Sequence, residues 1–172
     1  MKNFYLILQF LYFSQLLAQI VNEGTLKIIP TTIVSFQDSY TNKNAGIHDN
    51  DGQLYLNSNF INEGTTVIPN TGTTYFNSTV NAIQTISGIS NSANFYNLEI
   101  NVTGVNKKGV SVVDNFGVFV KNQVNLVSGD LRLTGESQLI QAHTGINANT
   151  TRGGSLLRAQ QGISSVHGYN YW

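Results

Sequence analysis

Gln53-Leu54-Tyr55-Leu56-Asn57 is followed, twenty residues on, by Thr73-Thr74-Tyr75-Phe76-Asn77. Both are short and rich in β-branched or aromatic residues, and side chains along a strand face opposite sides in turn. The same beat runs outward in both directions. Phe36, Leu56, Phe76, Tyr96 and Phe116 form one track, and Ile20, Tyr40, Phe60, Val80, Ile100, Val120 and Ile140 form a second. Asn57, Asn77 and Asn97 directly follow the first track, and Asn22-Glu23-Gly24-Thr25 returns unchanged at Asn62-Glu63-Gly64-Thr65. A fixed period of about 20 to 50 residues marks a repeat architecture.

Helix signals are nearly absent after Gln19, while strand signals recur at Asn94–Ile100, Gly109–Val113 and Val118–Leu126. Two all-β architectures fit. A β-sandwich also turns every 8 to 12 residues or so, but has no reason to hold phase across several repeats. A right-handed parallel β-solenoid with coils of about 20 residues does, because stacked coils lie about 4.8 Å apart and place like on like. The expectation is therefore a solenoid over residues 19–140. Leu56, Phe76 and Tyr96 should stack inward, with Asn57, Asn77 and Asn97 as a corner ladder. Gly52 and Gly72, and Gly24, Gly64 and Gly104, are expected at positive-φ corners.

Composition supports stacking. Of 172 residues, 41 % are hydrophobic and only 10 % charged, against about 25 % charged in ordinary soluble domains. Asn, Thr, Ser and Gly fill the difference, and short uncharged side chains can ladder without like-charge repulsion. Net charge is zero and basic residues are scattered, so the stripe that a nucleic-acid partner requires is missing. The chain has no cysteine, which excludes disulfides, thiolate metal sites and a cysteine nucleophile.

The first residues read as an address. Met1-Lys2-Asn3 is weakly basic, Phe4–Phe13 is apolar except for Gln9, and Ser14–Ala18 returns to smaller residues. This is the layout of a signal peptide over residues 1–18, cut between Ala18 and Gln19. Its apolar stretch of about 14 residues is shorter than the roughly 20 a spanning helix needs, so no membrane span is expected after cleavage. Residues 141–172 read as an irregular tail or truncated junction, ending in the aromatic cluster Tyr169-Asn170-Tyr171-Trp172.

The candidate chemistry is sparse. Asp49-Asn50-Asp51-Gly52 has the flavour of a calcium loop, but Ile47 and Ser58 stand where an EF-hand needs acids, so a β-turn is the reading. His48, His143 and His167 lack metal spacing and read as surface or turn residues. Asp38, Asp49, Asp51, Glu99, Asp114, Asp130 and Glu136 share no phase, Asp114 beside Lys107-Lys108 being the nearest to a cluster. No catalytic set, metal site or cofactor motif emerges. The one row with ligand potential is Tyr55, Tyr75 and Phe95, which alternates with the inward track and should face outward. It could stack sugar rings or lie buried under a neighbouring segment.

Leu139-Ile140-Gln141-Ala142-His143-Thr144-Gly145, Gly154–Gly162, Tyr169–Trp172 and the repeat-like Phe95-Tyr96-Asn97-Leu98-Glu99-Ile100 resemble stretches of large exported surface proteins of the Bacteroidota type. That resemblance implies a secreted or outer-surface, β-rich, adhesin-like protein using the type IX secretion route. Such proteins end in a sorting domain, for which this chain has no room, so it reads as an amino-terminal fragment. The functional expectation is an exported, non-catalytic structural or adhesive module that binds glycan or a cell-surface protein by shape. The alternative is a fragment of a polysaccharide-active β-helix enzyme.

Overall fold

The computed structural model describes residues 19–64, 66–104, 108–141 and 148–159. The alternating segments become strands β1 (Ile20–Asn22), β2 (Thr25–Ile28), β3 (Ile33–Phe36), β4 (Tyr40–Asn42), β5 (Ile47–Asn50), β6 (Gln53–Leu56), β7 (Phe60–Asn62), β8 (Thr66–Ile68) and β9 (Thr73–Phe76). They continue as β10 (Gln84–Ser87), β11 (Ser92–Asn101), β12 (Val110–Val112), β13 (Gly117–Leu133), β14 (Gln138–Gln141), β15 (Thr150–Thr151) and β16 (Gly154–Arg158). The chain winds into a parallel β-solenoid of about six turns, about 22 residues apart, with no helix among the described residues.

Each turn contributes to three faces. Face 1 stacks β1, β4, β7, β10, β12, the end of β13 and β16. Face 2 stacks β2, β5 and β8, and continues through the first residues of β11 and β13 to β14. Asn94 Nδ2 of β11 donates to Val67 O of β8 at 3.5 Å where those two levels meet. Face 3 stacks β3, β6, β9, the later part of β11, the middle of β13 and β15. Every strand pairs in parallel with a strand one turn away, which a sandwich of antiparallel sheets cannot do.

On faces 1 and 3 the first three turns keep the twenty-residue beat. Ile20 pairs with Tyr40 and Tyr40 with Phe60, and Phe36 pairs with Leu56 and Leu56 with Phe76. The beat then breaks. Phe60 pairs with Ile86 rather than Val80, and Phe76 with Ile100 rather than Tyr96. Three residues, 57–59, join β6 to β7, whereas seven, 77–83, join β9 to β10. The extra residues loop outward, leaving Val80 62 % and Ile83 40 % exposed. Gln84 seals the corner they vacate: its buried Nε2 donates to Leu56 O at 2.9 Å and Ser58 O at 2.7 Å. The inward columns resume as Ile86–Val112–Leu133 and Ile100–Leu126.

These columns fill the core. Tyr40, Leu56, Phe60, Phe76, Ile86, Ile100 and Val112 are fully buried, and each large apolar side chain contributes about 2 kcal/mol of burial. Tyr40 and Phe60 rings lie 5.6 Å apart, and Phe60 meets Phe95 edge-on at 5.4 Å.

Three expectations are corrected. The asparagine ladder is not Asn57–Asn77–Asn97, since Asn97 pairs with Thr73. It is Asn22–Asn42–Asn62 on face 1, with Nδ2 of Asn22 donating to Oδ1 of Asn42 at 2.9 Å and Nδ2 of Asn42 to Oδ1 of Asn62 at 3.2 Å. Asn62 closes the ladder by donating to Ser90 Oγ at 2.8 Å and Ser92 O at 2.7 Å. Second, none of Gly24, Gly52, Gly64, Gly72 or Gly104 has positive φ. Gly52 and Gly72 are instead demanded by close approach, since a Cβ there would lie 2.5 Å from a carbonyl oxygen of the turn below. Third, the stack does not stop at residue 140, because β16 adds another strand to face 1, with Leu131 against Leu156.

Candidate ligand-binding face

Alternation on face 3 sends Leu54, Leu56, Phe76, Leu98 and Ile100 inward and their neighbours out. The outward register runs Tyr55–Tyr75–Glu99–Asn125–Thr150, flanked by Gln53–Thr73–Asn97–Gln123. Because Tyr55 and Tyr75 are direct partners on adjacent strands, their rings stack, with centroids 4.4 Å apart and planes within 5°. Tyr55 Oη donates to Gln53 Oε1 at 3.0 Å, which pins the lower ring. Partial burial is the main cause that raises the Tyr75 phenol above its ordinary value, with the Tyr55 and Glu99 charges adding to it, so the ring stays a neutral phenol.

Above Tyr75 the row changes from aromatic to polar. Glu99 Oε2 accepts from Asn125 Nδ2 at 2.6 Å. Asn97 Nδ2 donates to Thr73 Oγ1 at 3.1 Å, and Asn97 Oδ1 accepts from Asn122 Nδ2 at 2.7 Å. Thr150 Oγ1 donates to Asn125 Oδ1. Thr73, Tyr75, Asn97, Glu99, Gln123 and Asn125 line a polar depression of about 110 Å³.

Phe95 does not belong to this row. It is 3 % exposed, on face 2, with Val120 as its register partner and Phe60 against its ring. The extra residues between β9 and β10 displaced it by turning the chain before it could follow Tyr75. Face 2 carries instead an apolar depression of about 190 Å³ beside Pro69, Asn94, Phe119, Lys121 and Ile140.

His48 is likewise not a surface residue. It is 2 % exposed, and its column runs Leu26–His48–Val67. Its Nδ1 lies 3.0 Å from Tyr40 Oη, and its ring meets the rings of Tyr40 and Phe60. Burial pulls its pKa down to about 4, the nearby Asp49 charge opposing only in part. His143, His167 and Lys107 lie outside the described residues.

The Asp49–Gly52 segment runs from the end of β5 into the bend before β6, and its carboxylates are engaged by the protein. Asp49 Oδ2 accepts from Lys27 Nζ at 2.8 Å, and Asn70 Nδ2 donates to Asp49 Oδ1. Asp51 Oδ1 accepts from Thr71 N at 3.2 Å and Thr71 Oγ1 at 3.1 Å. Asn50 Oδ1 accepts from Gly52 N at 3.0 Å, closing the turn. Asp130 pairs with Arg132 at 3.0 Å on face 1, and Asp114 Oδ1 accepts from Glu136 N at 2.6 Å in the next turn. Among the described residues, no group of three or more His, Cys, Asp or Glu could hold a metal ion. No helix of the described residues is long and apolar enough to cross a membrane.

Comparison with protein-family models, with curated proteins and with solved structures finds no match to this chain.

Proposed function

We propose that this chain is an exported, non-catalytic surface or adhesive module whose face 3 binds a glycan or a cell-surface protein. The observation that carries the reading is the parallel Tyr55–Tyr75 pair, continued on the same sheet face by a mainly uncharged polar row with one carboxylate, Glu99. Stacked strands repeat their outward side chains at about 4.8 Å, which suits an extended partner with its own repeat. Aromatic rings with a polar rim serve saccharide and protein recognition alike. Export rests on the leader-like Met1–Ala18, and the type IX route on the resemblance to surface proteins of the Bacteroidota type.

The test is a binding screen of the full chain on immobilised glycans and on whole cells, run beside a reducing-end release assay on the same polysaccharides. Binding without release of new ends is the expected result. Turnover of a bound polysaccharide, or failure to bind any glycan or cell surface, overturns the proposal.

A further inference from the structure

We infer that the free face of Tyr75, with Thr73, Asn97, Glu99, Gln123 and Asn125, forms a subsite for one neutral pyranose ring of a polysaccharide. The inference rests on face 3 being the binding surface, and it names the place and the ligand class.

The geometry of the tyrosine pair selects the place. Two rings 4.4 Å apart and within 5° of parallel each shield one face of the other. They are register partners on strands stacked along the solenoid axis, so the remaining free faces look up and down that axis. The upper free face belongs to Tyr75, and the next level in its register is Glu99. The polar depression of about 110 Å³ lies in that step, between the Tyr75 ring and the Asn97–Glu99 and Gln123–Asn125 levels. At roughly 30 Å³ per water molecule it seats only part of a sugar ring, the rest lying out in solvent. A surface subsite on a continuous chain has this character, unlike an enclosed pocket for a free monosaccharide.

The chemistry selects the ligand. A pyranose has an apolar C–H face and a rim of hydroxyls that both donate and accept. The Tyr75 ring offers the apolar counterpart. The rim meets amides, which supply both donors and acceptors, and a carboxylate, which accepts. Glu99 uses Oε2 to hold Asn125, and the Gln123 side chain hydrogen-bonds no other described residue, so both retain capacity for hydroxyls. Charge then discriminates. Glu99 is the single ionisable carboxylate in the lining, and no Lys or Arg lies there. A uronate or sulfate would meet like charge with no compensating cation, whereas a neutral hexose would not.

The experiment is affinity electrophoresis of the full chain through gels containing laminarin, mannan, galactan or polygalacturonate. At least one neutral polysaccharide should retard it, and polygalacturonate should not. Tyr75→Ala should weaken binding by about tenfold or more, the equivalent of about 1.4 kcal/mol. Tyr75→Phe should stay within about twofold, because the ring face is kept and the hydroxyl is not the contact. Glu99→Gln should weaken the neutral ligand and, with the like charge gone, ease the exclusion of polygalacturonate; unchanged behaviour toward both would remove Glu99 from the subsite. Circular dichroism of each variant guards against unfolding, and the Phe and Gln variants keep the outcome readable if the Ala variant misfolds. Undiminished binding by folded Tyr75→Ala overturns the subsite while leaving the binding role of face 3 standing. Retardation by polygalacturonate alone overturns the neutral class. Loss of all polysaccharide binding beside retained cell-surface binding overturns the subsite in favour of a protein partner.

Discussion

Lowering the pH from 7 to 4 should destabilise the fold through one residue, His48. In the folded chain its imidazole is 2 % exposed and neutral, with a pKa near 4, because burial among Tyr40, Phe60 and the first turns disfavours the charged form. In the unfolded chain it titrates near 6.5. Above about pH 6.5 neither state binds the proton, and the stability is fully present. Between about 6.5 and 4 only the unfolded state takes it up, so stability falls with decreasing pH. Below about 4 both states are protonated and the loss saturates. A gap of about 2.5 units at 1.36 kcal/mol per unit gives a loss of about 3 kcal/mol across that window. Carboxylates as a class take up protons toward the lower end of the same range, so the measurement is a difference. Urea unfolding followed by far-ultraviolet circular dichroism would be run at pH 7, 6, 5 and 4.5 on the parent and on His48→Gln, whose amide can still meet Tyr40 Oη. The parent should lose about 2 kcal/mol more than the variant between pH 7 and 5. Parallel curves for the two proteins would refute the buried, neutral histidine.

Two further expectations concern the ladder and the corner above it. Asn42→Ala removes the acceptor of Asn22, the donor to Asn62 and the donor to Gly46 O at 3.2 Å in a site with 0 % exposure. Leaving buried amides unpaired should cost about 2 to 4 kcal/mol by urea unfolding, against less than about 1 kcal/mol for the same truncation at exposed Asn44, and equal losses would dismiss the ladder. Gly88→Ala should be more damaging: φ is +151° and the new Cβ would fall 1.7 Å from Asn62 O, so the corner must open. A soluble variant with the parent's thermal midpoint would show that this corner tolerates a side chain and would refute the close approach to Asn62.

The repeat was legible because packing enforces it. Ile20, Tyr40 and Phe60, like Phe36, Leu56 and Phe76, hold a spacing of twenty in the sequence and pair in register in the fold. What followed was hidden by outward detours, which cost little on a surface and so leave no periodic trace. Val80, Val120 and Ile140 kept the numerical beat by coincidence of composition, and the fold put them on other faces or in solvent. The true ladder had a signal that was available: Asn22, Asn42 and Asn62 sit at strict spacing two residues after Ile20, Tyr40 and Phe60. His48 had a weaker one. Its column runs Leu26–His48–Val67, with steps of unequal length, so no single period exposes it. Of the candidate row, Tyr55 and Tyr75 were legible and Phe95 was not, since its placement depends on how the chain leaves β9.

That departure also explains why the candidate site has the character it has. Had the beat of twenty persisted, Phe95 would stand above Tyr75 and extend the ring stack, leaving Tyr75 with no free face. The residues that loop out after β9 lengthen the step on face 3 to twenty-four, so Glu99 takes that level and Asn97 stands beside it. The next step is twenty-six and brings Asn125 and Gln123 into the same rows, where the Asn125 amide holds the Glu99 carboxylate. The core is indifferent to the shift, because Ile100 and Leu126 replace the expected aromatics over Phe76 and remain buried. The outward row is not indifferent: it changes from a closed aromatic stack to a ring face looking onto amides and one carboxylate. A regular solenoid supplies a scaffold on which each level repeats the last. Binding specificity on such a scaffold arises where a level differs, and on face 3 that level is the one directly above Tyr75.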